Sequence, residues 1–95
     1  MTTLTAELFE SLIGQDLKVA AATGAELWRV VSVKRGQAHA LRSDQPFNVY
    51  LAAPASNDRK QGIRSAHMPD GEALEFFAVA LAATREGVSY ELVFN

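Results

Sequence analysis

The spacing of apolar and polar positions changes period once along this chain, close to its start. Leu8, Phe9, Leu12 and Ile13 recur at helical intervals, while Glu7, Glu10 and Ser11 take the other side. Thr5 stands where an N-cap belongs, Glu7 puts negative charge into the first turn, and Gly14 supplies a stop. The spacing predicts a helix over 5–13.

From Asp16 onward the period is two. Leu17 and Val19 alternate with Lys18 and Ala20, which predicts a strand over 16–22 closed by a Thr23-Gly24 turn. The next run, 26–34, is rich in Val. It places Leu27, Val31 and Val33 on one face and Trp28 and Val30 on the other, and with the first strand it forms a hairpin. Residues 35–45 read as a polar loop with Gly36 and Asp44, holding a short strand around Ala38 to Leu41. In 46–53, Phe47, Val49 and Leu51 face one way and Asn48 and Tyr50 the other, with Pro46 and Pro54 as brackets. A further strand over 62–68 ends at the turn sequence Pro69-Asp70-Gly71.

Residues 72–84 are ambiguous. Leu74, Phe77, Ala78 and Leu81 would share a helical face. As a strand, Phe77, Val79 and Leu81 face one side and Phe76, Ala78 and Ala80 the other. The following run alternates Val88, Tyr90, Leu92 and Phe94 with polar neighbours after a turn at Arg85-Glu86-Gly87. A hairpin from Phe76 to Phe94 therefore favours strands over 74–83 and 88–94. The sum is one mainly β domain (α+β) over residues 1–95. An N-terminal helix is followed by about six mostly antiparallel strands that form a small barrel or curved sheet, with the helix plugging one end.

Composition adds limits to this outline. Of the 95 residues, 16 are alanine and only eight are aromatic, so the core is thin for the chain's 48% apolar content. Self-association is a common remedy for a small core. Net charge is −2, with a pI of about 5.6, which lacks the cationic excess of a duplex-binding domain and argues against a nucleic-acid partner. There is no cysteine, in keeping with a reducing compartment. The start, Met1-Thr2-Thr3-Leu4-Thr5, lacks the basic and apolar segments of a leader, and the longest apolar run, Phe76 to Thr84, is too short to span a membrane. The expectation is a cytoplasmic protein with no membrane association.

Chemistry-bearing motifs are sparse. His39 and His67 lie 28 residues apart without a second ligand at metal-binding spacing. Ser11, Ser32, Ser43, Ser56, Ser65 and Ser89 sit in no nucleophile elbow; Gly62-Ile63-Arg64-Ser65 is a loose echo of one. Glu72 and Glu75 read as a solvated pair, and no glycine-rich phosphate loop is present. Arg59, Lys60 and Arg64, beside Asp58, form the one local cationic cluster, and a charged loop explains it. Trp28 and Tyr50 would suggest a protein contact if exposed together, although core packing suits Trp28 better. The expectation is no catalytic, cofactor-binding or metal-binding residue and no enzyme activity.

One pattern runs through nearly the whole chain. It begins with the helix Phe9 to Gly14 and continues through Pro46-Phe47-x-Val49-x-Leu51-x-x-Pro54 and Gln61-Gly62-Ile63 to His67 and Gly71. It ends in Phe76-Phe77-x-Val79 and Tyr90-Glu91-Leu92-Val93-Phe94-Asn95. The chain thereby resembles a family of small uncharacterised bacterial domains that share a Pro-Phe…Pro strand and a Tyr-Glu-x-Val-Phe-Asn tail. Two positions depart from the pattern: Ile63 stands where an aromatic is expected, and Ala80 where a proline is. The resemblance brings no catalytic residue. It implies strand for 74–83 and an accessory or structural role beside phage-tail-like proteins. The functional expectation is a non-enzymatic interaction module with a protein partner or a second copy of itself. The alternative is a small-ligand-binding barrel that uses space left by the alanines of 76–83.

Overall fold

In the computed structural model the described residues are 4–22, 24–36 and 46–94. They form one helix and six strands: α1 (Ala6–Ser11), β1 (Asp16–Ala21), β2 (Gly24–Arg35), β3 (Phe47–Ala53), β4 (Gly62–His67), β5 (Ala73–Ala83) and β6 (Val88–Phe94). The strands close into a barrel in the order β1-β2-β3-β6-β5-β4, with every neighbouring pair antiparallel. Closure removes the free edges that an open six-stranded sheet would present. The closing seam is short: β1 meets β4 through Lys18↔His67 and Val19↔Ala66.

The ambiguous 72–84 segment is a strand. Its turn falls at the expected place, where the Thr84 N–H donates to Gly87 O at 2.8 Å. Gly87 is required by close approach, since a Cβ there would lie 2.3 Å from the Ala53 carbonyl oxygen. At the start of β4, Gly62 has φ of 142°, a conformation open to glycine and strained for other residues. The short strand expected around Ala38 to Leu41 lies outside the described residues, as do His39, Ser43, Asp44 and Thr23.

The helix is shorter than its pattern suggested. Thr5 caps it as expected, its Oγ1 accepting from the Leu8 N–H at 3.1 Å. The helix stops at Ser11, however, so Ile13 falls in the following turn and is exposed. Ala6 joins Phe9 and Leu12 in the core in its place.

Inward positions on the strands build the core. Trp28, Val30, Val49, Leu51, Ala78, Tyr90 and Leu92 are buried on the barrel axis with Leu17 and Val19. Trp28 stacks on Tyr90 with ring centroids 4.2 Å apart, and Phe76 packs on Trp28 at 6.2 Å. An eight-stranded barrel has an interior just wide enough for side chains to fill, and six strands leave less.

Both long strands carry a bulge. β2 slips register between Val30 and Ser32 against β3, and β5 slips between Ala80 and Ala82 against β6. An extra residue bends the strand, which lets one strand follow the curve of a narrow barrel. The bulge in β2 corrects the expected face of Leu27, Val31 and Val33. Leu27 and Val31 are exposed, whereas Val33 turns back to pack against the core.

Candidate functional site

Two regions stand out from the ordinary barrel wall: a polar cluster that closes the end away from α1, and an apolar strip on the outer wall of β4 and β5.

The polar cluster starts from an inversion in β4. There the alternation turns Ile63 and Ser65 outward and Arg64 and Ala66 inward. The Arg64 side chain is 10% exposed and lies over two rings, its guanidinium carbon 5.3 Å from the Trp28 centroid and 5.7 Å from that of Tyr90. Arg64 Nη2 donates to Asp58 Oδ1 at 2.7 Å, to the Lys60 carbonyl at 2.8 Å and to the Tyr90 hydroxyl at 3.2 Å. The Tyr90 hydroxyl is 2.7 Å from Asn57 Oδ1 and 3.0 Å from the Lys60 carbonyl; its single proton serves one of them at a time. Asn57 is buried, and its Nδ2 donates to Glu26 Oε1 at 2.8 Å. The same carboxylate oxygen accepts from Trp28 Nε1 at 3.0 Å.

Backbone geometry holds the loop in this form. Asn57 Oδ1 accepts from the Arg59 N–H at 2.6 Å and Asp58 Oδ1 from the Lys60 N–H at 2.9 Å, two successive Asx turns. Arg59 takes a positive φ of 62° between them. Titration follows the contacts. Arg64 and the Lys60 N–H hold the Asp58 carboxyl below its ordinary value. Burial pushes the Tyr90 hydroxyl up against the opposing pull of Arg64. Burial works against the Arg64 charge, but its bonds to Asp58 and Tyr90 outweigh that cost and hold its proton more tightly. Arg64 and Asp58 are thus paired within the cluster, and the Glu26 carboxylate is hydrogen-bonded by Asn57 and Trp28.

The expected cationic cluster of Arg59, Lys60 and Arg64 is therefore divided. Arg64 turns inward as the cap's central donor, while Arg59 and Lys60 stay exposed on the loop. Trp28 and Tyr50 are not exposed together, because Trp28 is fully buried and Tyr50 is half-buried on the outer wall. His67 is exposed beside Lys18 at the barrel seam. Glu72 precedes β5 and Glu75 lies on its outer face, both exposed. Among the described residues no group of three or more His, Asp or Glu side chains is placed to hold a metal ion. No described helix is long and apolar enough to cross a membrane.

The outer strip is built by direct pairing. Ile63 on β4 stands opposite Phe77 on β5, and they are 68% and 54% exposed. Val79 and Leu81 follow in the same phase, Val79 half-buried and Leu81 exposed. Val93 adds a further exposed apolar side chain on β6. The charges at outward positions of β5 and β6 are Glu75 and Glu91.

The class is a closed, six-stranded antiparallel barrel with a helix at one end and a polar loop at the other. Residues 4–94 match the model of a family described as a domain of unknown function (DUF6916), and the chain belongs to that family. No curated protein and no solved structure matches the chain significantly.

Proposed function

We propose that this protein is a non-enzymatic interaction module, a structural or accessory subunit that docks through the outer wall of β4 and β5. The observation that carries the reading is the in-register pair Ile63 and Phe77, continued by Val79 and Leu81. Large apolar side chains grouped on an otherwise well-packed barrel mark a contact surface, whereas scattered ones would not. The assembly it serves is of the phage-tail type that the sequence resemblance implies. Its compartment is the cytoplasm, in keeping with a chain without cysteine.

The ligand-binding alternative draws on the alanines of β5. Ala78 is buried in the core cluster, and the stacked Trp28 and Tyr90 rings take the axis of a barrel already narrower than those that hold ligands. These facts favour the outer wall over the interior. Affinity capture from the native host with tagged wild-type and Phe77→Asp baits tests the reading. Tail-type structural proteins retained by the wild type and depleted at least about tenfold by the variant, a loss of roughly 1.4 kcal/mol, are expected. Equal capture by the two baits, or capture of nothing with a melting shift on adding a small molecule, overturns it.

A further inference from the structure

The outer wall carries a second apolar surface, and its charge is of the opposite sign. On β1 and β2 the exposed Leu27 stands opposite Lys18, and Arg29 opposite Asp16. Val31, in phase with Leu27 and Arg29, and Lys34 continue the surface along β2. A groove of about 650 Å³ crosses it, lined by Lys18, Ala20, Ala25 and Leu27 and walled by Met68 and Pro69 of the turn after β4. Its outward charges are Lys18 and Lys34, with Arg29 paired to Asp16 at 3.6 Å. Arg35, at the end of β2, is already paired with Glu7 and Glu10 of α1.

Phe77 and Leu27 lie on opposite sides of the barrel, although β1 and β4 meet at the seam. In the order β1-β2-β3-β6-β5-β4, β5 is three strands from β2 in either direction. One surface is a ridge, Ile63 and Phe77, flanked by Glu75 and Glu91. The other is a groove around Leu27, with Lys18 and Asp16 in its lining and Arg29 beside Asp16. We infer that the partner of the β4–β5 ridge is the β1–β2 groove of a second copy of this chain, in a head-to-tail contact that repeats from copy to copy. The inference rests on the proposed docking role of the β4–β5 wall and names its occupant.

Charge decides between this contact and a symmetric one. A two-fold dimer through the ridge would bring Glu75 and Glu91 of one copy against the same acids of the other, and like charges across an interface are unfavourable. The ridge against the groove sets acids against bases and keeps the apolar side chains in the centre. Because the surfaces are different, the contact is heterologous and builds a ring or a filament. It covers Leu27 and Val31 as well as Ile63 and Phe77, which accounts for exposed apolar residues on both bulged strands.

The test uses the purified full chain alone in sedimentation velocity, up to about 0.5 mM so that a contact with a millimolar-range constant still registers. Phe77→Asp spoils the ridge and Leu27→Asp the groove; both side chains are exposed, and a thermal melt of each variant confirms the fold. The wild type is expected to sediment as species larger than a dimer, more so in low salt. Each variant alone is expected to be a monomer. Their equimolar mixture is expected to form a complex that stops at two chains, since one intact ridge meets one intact groove. Glu75→Lys and Lys18→Glu should each weaken the assembly alone. Mixed, they should restore species larger than a dimer, since swapped charges face each other at one contact and native charges at the next, with the apolar residues untouched. A variant pair in which Phe77→Asp dissociates the protein and Leu27→Asp does not overturns the head-to-tail contact. A wild type that stays monomeric throughout overturns self-association, while the docking role of the ridge still stands or falls on host capture with the Phe77→Asp bait.

Discussion

The two ends of this barrel are closed by opposite means. At one end α1 lays Phe9 across Phe47 and Phe94, with ring centroids 6.3 and 5.6 Å away, while Phe47 and Phe94 stack on each other at 4.6 Å. At the other end, Asn57, Arg64, Tyr90 and Glu26 form a hydrogen-bonded lid over Trp28. The apolar plug is held by burial, which has no direction, and its ion pairs (Arg35 with Glu7 and Glu10) sit outside it in solvent. The polar lid is held by directed bonds among groups that would be costly to bury unpaired. The first should respond to lost volume and be nearly indifferent to pH. The second should respond to single atoms and to protons.

The largest effect falls on the apolar end. Phe9→Ala empties the centre of the three-ring stack and is expected to cost about 3–5 kcal/mol, a large part of the stability of a domain this size. Urea unfolding of the variant checks it. A loss below about 1 kcal/mol would mean that α1 is not a plug and that the barrel holds without it.

A smaller effect is expected at the polar end. Tyr90→Phe keeps the ring stacked on Trp28 and removes the hydroxyl from Asn57, Lys60 and Arg64, which should cost about 1–3 kcal/mol. It should also change the alkaline limb of stability. Burial raises the folded hydroxyl above its ordinary 10.0, so its contribution is complete below pH 10 and is lost as pH rises through the folded value. Melting curves from pH 9 upward should therefore fall more steeply for the wild type than for Tyr90→Phe. Parallel limbs would show that the hydroxyl is open to solvent in the folded state.

The apolar end was readable in the sequence, and the polar end was not. Helical spacing at Leu8, Phe9 and Leu12 and clean alternation at Phe47 to Leu51 and Tyr90 to Phe94 locate the plug and the strands around it. The lid joins Glu26, Asn57, Arg64 and Tyr90 across three strands and a loop, and no local pattern marks them as partners. Arg64 was hidden by its neighbours, reading as the third member of a cationic run. One signal was present, since it shares the phase of Ala66 and Met68, both buried, while Ile63 takes the outward phase. The two faces of β2 and β5 were separable, and core packing suited Trp28, but which face of β5 turns inward was not marked. Both strands are apolar on both sides, and only closure of the barrel sets Trp28 and Phe76 in and Leu27 and Phe77 out. The same ambiguity leaves Leu27 and Phe77 exposed on the outer wall.

The finest test of the contrast removes a charge and almost nothing else. Asp58→Asn keeps an oxygen for the Lys60 N–H and for Arg64 Nη2, so the shape of the lid is preserved. Asp58 is partly exposed, and the loss at neutral pH should be below about 1 kcal/mol, as for other surface pairs. The sign of its pH dependence is fixed by the lowered folded value. The carboxylate stabilises the fold above its ordinary 3.8, and that contribution disappears as pH falls through the folded value. Wild type and variant should therefore differ at pH 6 and converge as pH falls through the lowered folded value, where Asp58 of the wild type is itself neutral. Arg35→Gln at the opposite end supplies the matching control, since it releases Glu7 and Glu10 from a solvent-facing pair without opening the Phe9 stack. A deeper acid response from Arg35→Gln than from Asp58→Asn would reverse the comparison, making the helix end the one held by charge.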